Sequence, residues 1–370
     1  MINISHVFID KEIENAVIKV LSSGSLVQGD KVKKLEEKLT KINRTKYSVV
    51  VNSGTAALHT ALKSIGVEEG DEVITTPFSF IATVNAILMC SAKPVFVDID
   101  ETYNINPNLI ESKITKKTKA ILTVDLYGQA CDYEKIKGIA RKYNLKIISD
   151  SSQAIGAQYK NKPIAKWVDV ACFSFYATKN ILMGEGGALV TDHKNIYEFA
   201  RRFRQHGQDM KKPYVYHHIG YNYRSTDILA VIGLIQVSRL SQLTNQRRTN
   251  AKKLIQGLQD IPGIILPQLL NDREHVFHQF TIRVTDRFPF TRDKLHLNLL
   301  KNGVRTAVYY PSIIPLQPHI REITSYKKNM YPVAQRLSKQ VLSLPVHPQL
   351  KNSDIKRIVD LIKKINYEKN

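Results

Sequence analysis

The amino-acid sequence predicts an α/β protein: a large domain around a mainly parallel sheet, followed by a small C-terminal α/β domain. Three observations carry that prediction. Apolar, β-branched runs such as Tyr47 to Val51, Ala120 to Val124 and Leu145 to Ile148 alternate with stretches of helical spacing, the pattern of strands covered on both faces. From Ser225 to about Asp260 the spacing stays helical, apolar in ILAVIGLIQVSRLSQL and then basic and polar, as in one long helix leaving the main domain. Pro262-Gly263 then interrupts the chain, and a shorter strand–helix alternation resumes. The large domain is therefore expected over 1–260 and the small one over 261–370, with the N-terminal helix free to join the latter.

In chain order, residues 10–22 and 30–42 have helical apolar spacing, punctuated by Gly24 and Gly29. The strand Tyr47–Val51 ends in Asn52-Ser53-Gly54-Thr55, and a helix follows from Ala56 to Ile65. Strand, small polar turn, helix is the arrangement that presents free backbone N–H groups and a positive dipole end to an anion. Glu72–Thr75 and Pro94–Val97 read as strands, with Phe80–Met89 a helix between them. Tyr133–Lys142 reads as a helix before the strand Leu145–Ile148, which ends in Ser149-Asp150. Two further strands, Val170–Phe175 and Ala188–Val190, flank a segment containing Lys179 and Gly184-Glu185-Gly186-Gly187. In the C-terminal part, strands are expected over Val276–Val284 and Val304–Tyr310, and helices near 291–301 and 354–366. Ligands of parallel sheets collect at the carboxyl ends of the strands, where Asn52–Thr55, Pro77–Phe80 and Asp150 all fall.

Composition narrows the function classes. Apolar content of 43% and charged content of 24% are ordinary for a globular chain. No apolar run has the roughly twenty residues needed to span a bilayer, and MINISHVFIDKEIENAV lacks a signal-peptide apolar region. The three cysteines, Cys90, Cys131 and Cys172, stand in apolar contexts without CxxC or metal spacing, as buried thiols of a reducing compartment do, and the cytoplasm is expected. The 54 Lys and Arg exceed the 33 Asp and Glu, giving +21. These charges are scattered (Lys33-Lys34, Arg201-Arg202, Arg247-Arg248) and form no aromatic-interleaved stripe. A solvated basic surface that attracts small anions is expected, not a nucleic-acid site. His206 and the His217-His218 pair have no carboxylate or cysteine at ligand spacing, so no metal is expected.

Three strand ends supply complementary chemistry. The Ser53–Thr55 turn offers a phosphate cradle. Asp150 offers a carboxylate that is costly to bury without a cation. Lys179, preceded by Ser174, offers an amine whose pKa falls where water is partly excluded. Alone, that lysine would read as a loop residue. A cofactor with a phosphate, a protonatable ring nitrogen and an aldehyde satisfies all three groups, and pyridoxal 5'-phosphate (PLP) is such a cofactor.

SGTAAL at 53–58, Pro77-Phe78-Ser79-Phe80, DSSQA at 150–154, SFYATKN followed by GEGG, GYNYRST at 220–226 and SLPVHP at 343–348 resemble the sugar aminotransferases of the DegT/DnrJ/EryC1/StrS group, enzymes of PLP fold type I. The resemblance spans essentially the whole chain. It implies that Lys179 is the Schiff-base lysine and proton shuttle, and that Asp150 pairs with the pyridine nitrogen. Gln153 would lie against the ring and its phenolic oxygen, and Phe80 would stack on the other ring face. Gly54, Thr55 and Ser174 would hold the phosphate, joined by Asn222 from a neighbouring subunit, so that a homodimer shares its active sites. Arg224 is a candidate for a substrate anion. Two histidines common in such proteins fall at Tyr309 and Pro315 here, which makes Tyr309 a candidate substrate contact of a different kind.

The resemblance further implies amino transfer from L-glutamate to a nucleotide-linked keto-sugar. SGTAAL, GEGG and GYNYR resemble members that aminate the 4-position of a 6-deoxyhexose, of perosamine or viosamine type. The run from HGQD to SLPVHP is also similar to some 3-aminating members. A dehydratase of the same group would carry histidine in place of Lys179. A regulatory or binding protein that keeps the fold without turnover is the non-enzymatic alternative.

Overall fold

The computed structural model describes residues 1–324 and 326–367. The chain runs through α1 (Lys11–Ser23), α2 (Asp30–Asn43), β1 (Tyr47–Val51), α3 (Gly54–Ser64), β2 (Glu72–Thr75), α4 (Ala82–Leu88) and β3 (Lys93–Phe96). It continues with β4 (Thr118–Val124), α5 (Tyr133–Lys142), β5 (Lys146–Asp150), the short strands β6 (Gln158–Tyr159) and β7 (Lys162–Pro163), β8 (Val170–Ser174), β9 (Gly187–Thr191) and α6 (Lys194–Phe203). Then follow α7 (Asp227–Ser238), α8 (Leu240–Leu258), β10 (Ile264–Ile265), β11 (Arg273–Glu274), β12 (Phe280–Val284), α9 (Arg292–Lys301), α10 (Pro318–Ile323), α11 (Pro332–Gln340), β13 (Val341–Leu344) and α12 (Asn352–Tyr367).

Seven strands form the central sheet in the order β1-β9-β8-β5-β4-β2-β3. All are parallel except β9, which runs antiparallel to both β1 and β8. The alternation within β1 shows why both faces are covered. Val49 and Val51 pack with α3 and α6, whereas Val50 joins α2 and α7 on the other side. Gly187 admits the close approach of β9 to the first helix turn, since a Cβ there would lie 2.3 Å from the Ser53 carbonyl oxygen. Asp227, the first residue of α7, ties this layer together. Its carboxylate accepts from the amides of Gly29, Lys31 and Val32 at 2.9–3.1 Å and so caps α2, whose own N-cap is a glycine without a side chain.

The C-terminal antiparallel sheet β10-β12-β13 is packed by α9, α12 and the second half of α8 through Ala251, Leu254 and Leu258. Residues 309–324 and 326–340 return to the central sheet, where Ile313, Ile314 and Leu337 pack with Phe78 and Phe96.

The structure departs from the sequence expectation at several places, among them the strand expected over Val276–Val284, which forms only over Phe280–Val284 because Phe277 takes a positive φ of 46°. The expected single helix over 225–260 is broken at Arg239, which adopts φ −97° and ψ 2°. The apolar α7 packs against α1 and α2, whereas the amphipathic α8 packs against α12, and one straight helix cannot serve both. Arg239 secures the elbow by pairing with Asp10 at 2.8 Å and with Glu12. The N-terminal helix α1 accordingly lies on α7, and Ile2 is the residue that reaches the C-terminal sheet region, by a bridge to Val304. Val304–Tyr310 is no continuous strand: only Val304 and Ala307 make isolated bridges, and Tyr310 turns out of extended geometry at φ 69°. Among the described residues no helix is long and apolar enough to cross a membrane.

Candidate active site

A cavity of about 360 Å³ opens at the carboxyl ends of β1, β5 and β8, and Ser53, Gly54, Thr55, Phe80, Asp150, Gln153, Ser174, Lys179 and Tyr309 all line it. These residues come from separate strand ends and loops, brought together by the parallel sheet. Asn222 and Arg224 do not line the cavity of their own chain. Asn222 is exposed, its carbonyl accepting from the Asn52 side chain at 3.3 Å, and Arg224 is partly buried.

The phosphate-type cradle follows from local geometry. Ser53 caps α3 by accepting from Ala56 N at 3.1 Å, while the first-turn amides of Gly54 and Thr55 can have no acceptor within the helix. Ser174, the last residue of β8, is buried against this turn. A Cβ at Gly54 would lie 2.9 Å from Ser174 Cβ, so any larger residue would fill the cradle.

Asp150 is buried at the end of β5. Thr83 donates to its Oδ2 at 2.8 Å and Ser152 N to its Oδ1 at 3.2 Å. Ser79 continues this chain at 3.0 Å from Thr83 Oγ1. The carboxylate is thus held in place with no cation hydrogen-bonded to it among the described residues.

Lys179 retains partial accessibility because cavities open onto it, but its amine is enclosed by protein. That desolvation lowers its pKa from 10.5 to about 8, with the charge of Asp150 opposing the shift. Buried His278 stands beside it, held well below the usual histidine pKa by desolvation and by the positive charge of Lys179. Asn180 orients this ring. Its Nδ2 donates to the Val276 carbonyl at 3.2 Å, leaving Oδ1 to accept from His278 Nδ1 at 3.3 Å. A neutral imidazole therefore faces the amine and adds no competing charge.

The opposite wall is aromatic. Gln153 accepts from Tyr127 N at 2.8 Å and donates to the Tyr310 hydroxyl at 2.9 Å. Tyr127 and Tyr310 both hold positive φ, 58° and 69°, a strained conformation for aromatic residues that this bonding pattern maintains. Tyr309 lines the cavity and its carbonyl accepts from the Tyr127 hydroxyl at 3.3 Å. Phe80 is 61% exposed at the mouth, an unusual position for a large aromatic that nothing among the described residues covers.

Sequence reasoning missed Thr83, His278, Gln279 and Tyr310. Tyr310 was detectable as the neighbour of Tyr309, and His278 as a histidine within the apolar run expected as a strand over Val276–Val284, although it lies just before β12. Thr83 carries no local signal. Among the described residues no group of three or more His, Cys, Asp or Glu side chains is placed to hold a metal ion.

A cradle of free amides, a carboxylate without a cation and an enclosed amine fit the phosphate, ring nitrogen and aldehyde of PLP, and define the class as a PLP-dependent transferase of fold type I. The DegT/DnrJ/EryC1/StrS aminotransferase family model matches residues 7–363, and the chain belongs to that family. The "pleiotropic regulatory protein" of Geobacillus stearothermophilus is 40% identical over 356 residues, covering 95% of this chain and 93% of the relative. The GDP-perosamine synthase of Escherichia coli O157:H7 is 36% identical over 348 residues, covering 92% of each. The crystal structure of Streptomyces venezuelae DesV with a ketimine intermediate superposes with a TM-score of 0.91 at 33% identity, covering 95% of this chain and 94% of that one. Solved relatives include both pyridoxal and pyridoxamine phosphate forms. The protein is a PLP-dependent sugar aminotransferase.

Proposed function

We propose that the protein moves an amino group from L-glutamate to the 4-keto group of a nucleotide-linked 6-deoxyhexose. The observation that carries the chemistry is the enclosed Lys179 amine, in one cavity with Asp150 and the Ser53–Thr55 turn. Gly54, Thr55 and Ser174 would hold the phosphate, Asp150 would keep a proton on the ring nitrogen, and Phe80 and Gln153 would bracket the ring. Bound PLP supplies an aldehyde and an electron-withdrawing ring that acidifies the donor's α-carbon. Lys179, its pKa brought down to about 8 by burial, would take the proton from that carbon and return one to the sugar carbon. Tyr309 and the neutral His278 line the same cavity and would help to exclude water from it.

Position 4 is supported by SGTAAL, GEGG and GYNYR and by the similarity to a perosamine synthase. Amination at position 3 is the second reading, favoured by the HGQD–SLPVHP run and by relatives named as 3-amino-sugar transaminases. A silent regulatory role has the similarity to the Geobacillus protein in its favour and the intact Lys179 against it. Mass spectrometry of products from a panel of 3-keto and 4-keto nucleotide sugars with L-glutamate decides among them. A new amine on the 4-keto substrates is expected. Amination of 3-keto substrates alone would transfer the assignment to position 3, and no amination of any would end it.

Asn222 and Phe80 are best accounted for by a homodimer with shared sites. Both are exposed in the single chain, and Phe80 stands at the cavity mouth.

A further inference from the structure

Lys179 also borders a second cavity, of about 470 Å³, between α7, the start of α8 and the segments around His6 and Pro348. Its walls are rich in carboxamides: Asn180, Gln236, Gln242, Gln246 and Gln349. Two arginines join them, in contrasting states. Arg239 is neutralised by Asp10 and Glu12. Arg247 is buried and donates from Nη1 to the carbonyls of Phe277 at 3.2 Å and His278 at 3.4 Å. No carboxylate pairs with it among the described residues, and its buried Nε has no acceptor. Burial alone brings its pKa down to about 10.

A guanidinium kept out of water without a counter-anion is expensive, and a structural role for Nη1 accounts for only one of its nitrogens. We infer that Arg247 binds a carboxylate of the amino donor in this second cavity, with the donor's amino group directed to Lys179. One uncompensated cation matches a single carboxylate, whereas a diphosphate would call for several. The carboxamide N–H groups suit the second carboxylate of a short dicarboxylic amino acid. This inference rests on the aminotransferase reading above, and it assigns the donor and acceptor of that reaction to different contacts.

The test uses PLP-loaded wild type, Arg247→Gln and Arg247→Lys. L-glutamate is titrated while loss of the cofactor's visible absorption is followed in single turnovers. Arg247→Gln should need about ten-fold or more glutamate for half-saturation, as loss of one charge-assisted hydrogen-bonded pair implies. Its absorption spectrum and limiting rate should stay close to wild type, and Arg247→Lys should fall between. A second readout needs no turnover: glutarate, an unreactive dicarboxylate, should raise the thermal midpoint of wild type but not of Arg247→Gln. Unchanged glutamate saturation with glutarate stabilisation retained in Arg247→Gln would overturn the inference. So would a shifted absorption spectrum with a lower limiting rate and unchanged saturation, since that is the signature of a purely structural arginine. If wild type fails to react with glutamate, the aminotransferase reading is what fails, and the glutarate comparison still decides whether Arg247 binds a carboxylate.

Discussion

Removing the Lys179 side chain should do two opposite things. Lys179→Ala abolishes amino transfer, because no other amine in the cavity can shuttle the proton. The same change stabilises the cofactor-free fold near neutral pH, because it deletes an enclosed ammonium. The folded-state pKa is about 8 against the ordinary 10.5, so between those values the unfolded chain binds more protons than the folded one. Stability contributed by this residue therefore rises with pH across the window and is lost as pH falls toward 8. The thermal midpoint of cofactor-free wild type, measured relative to Lys179→Ala from pH 7 to pH 10, should climb. A flat difference would show the amine to be solvated. Asp150→Asn should lower turnover by about a hundred-fold or more, as loss of a preorganised charge in a dry site does. Stopped-flow rates at saturating substrates would register it. Asp150 was legible in the sequence because it ends an apolar strand, and Lys179 because it lies between two such strands beside a glycine cluster, positions where a polar group demands an explanation. Thr83 and the bond between Tyr310 and Gln153 were not, since Thr83 lies 67 residues from its partner Asp150 and Tyr310 157 residues from Gln153, pairings that only the folded chain creates. Arg247 belongs with them: in sequence it is one of two adjacent arginines on a polar helix, and its missing counter-charge is visible only once its neighbours are placed.

At the scale of elements, the sequence revealed the seven strands of the central sheet and most helices because buried parallel strands read as unbroken apolar runs, but not β13 or the two-residue strands. It concealed the elbow at Arg239, since helical spacing continues across it and the break answers to packing partners that differ on its two sides. The α2–α7 junction depends on one carboxylate. Asp227→Ala leaves the amides of Gly29, Lys31 and Val32 without an acceptor, and should cost about 2–4 kcal/mol in denaturant unfolding. Gly187→Ala brings a methyl onto the Ser53 carbonyl and should displace the α3 turn, weakening both stability and PLP affinity. An equilibrium titration of PLP absorbance against the variant measures the second effect.

For the whole molecule, the exposed aromatic and apolar side chains of the 210–221 loop need a partner surface. Tyr214 is 85% exposed and Ile219 83% exposed, alongside Tyr216 and Tyr221. On the shared-site reading proposed above, a second copy of the chain would meet that need and bring Asn222 to its neighbour's cavity. If the sites are shared, Lys179→Ala and Asn222→Ala chains should be inactive alone and regain activity when co-expressed, because a mixed dimer contains one intact site. Absence of complementation, with dimers verified by sedimentation, would place Asn222 outside the reaction.

If Lys179 carries PLP through two half-reactions, one with an amino acid and one with a keto-sugar, the visible absorption of the PLP-loaded protein reports both. The band should disappear on adding L-glutamate, with release of 2-oxoglutarate, and return on adding a nucleotide-linked 4-keto-6-deoxyhexose. A band that persists through glutamate addition, or an absence of PLP absorption altogether, would contradict that role of Lys179.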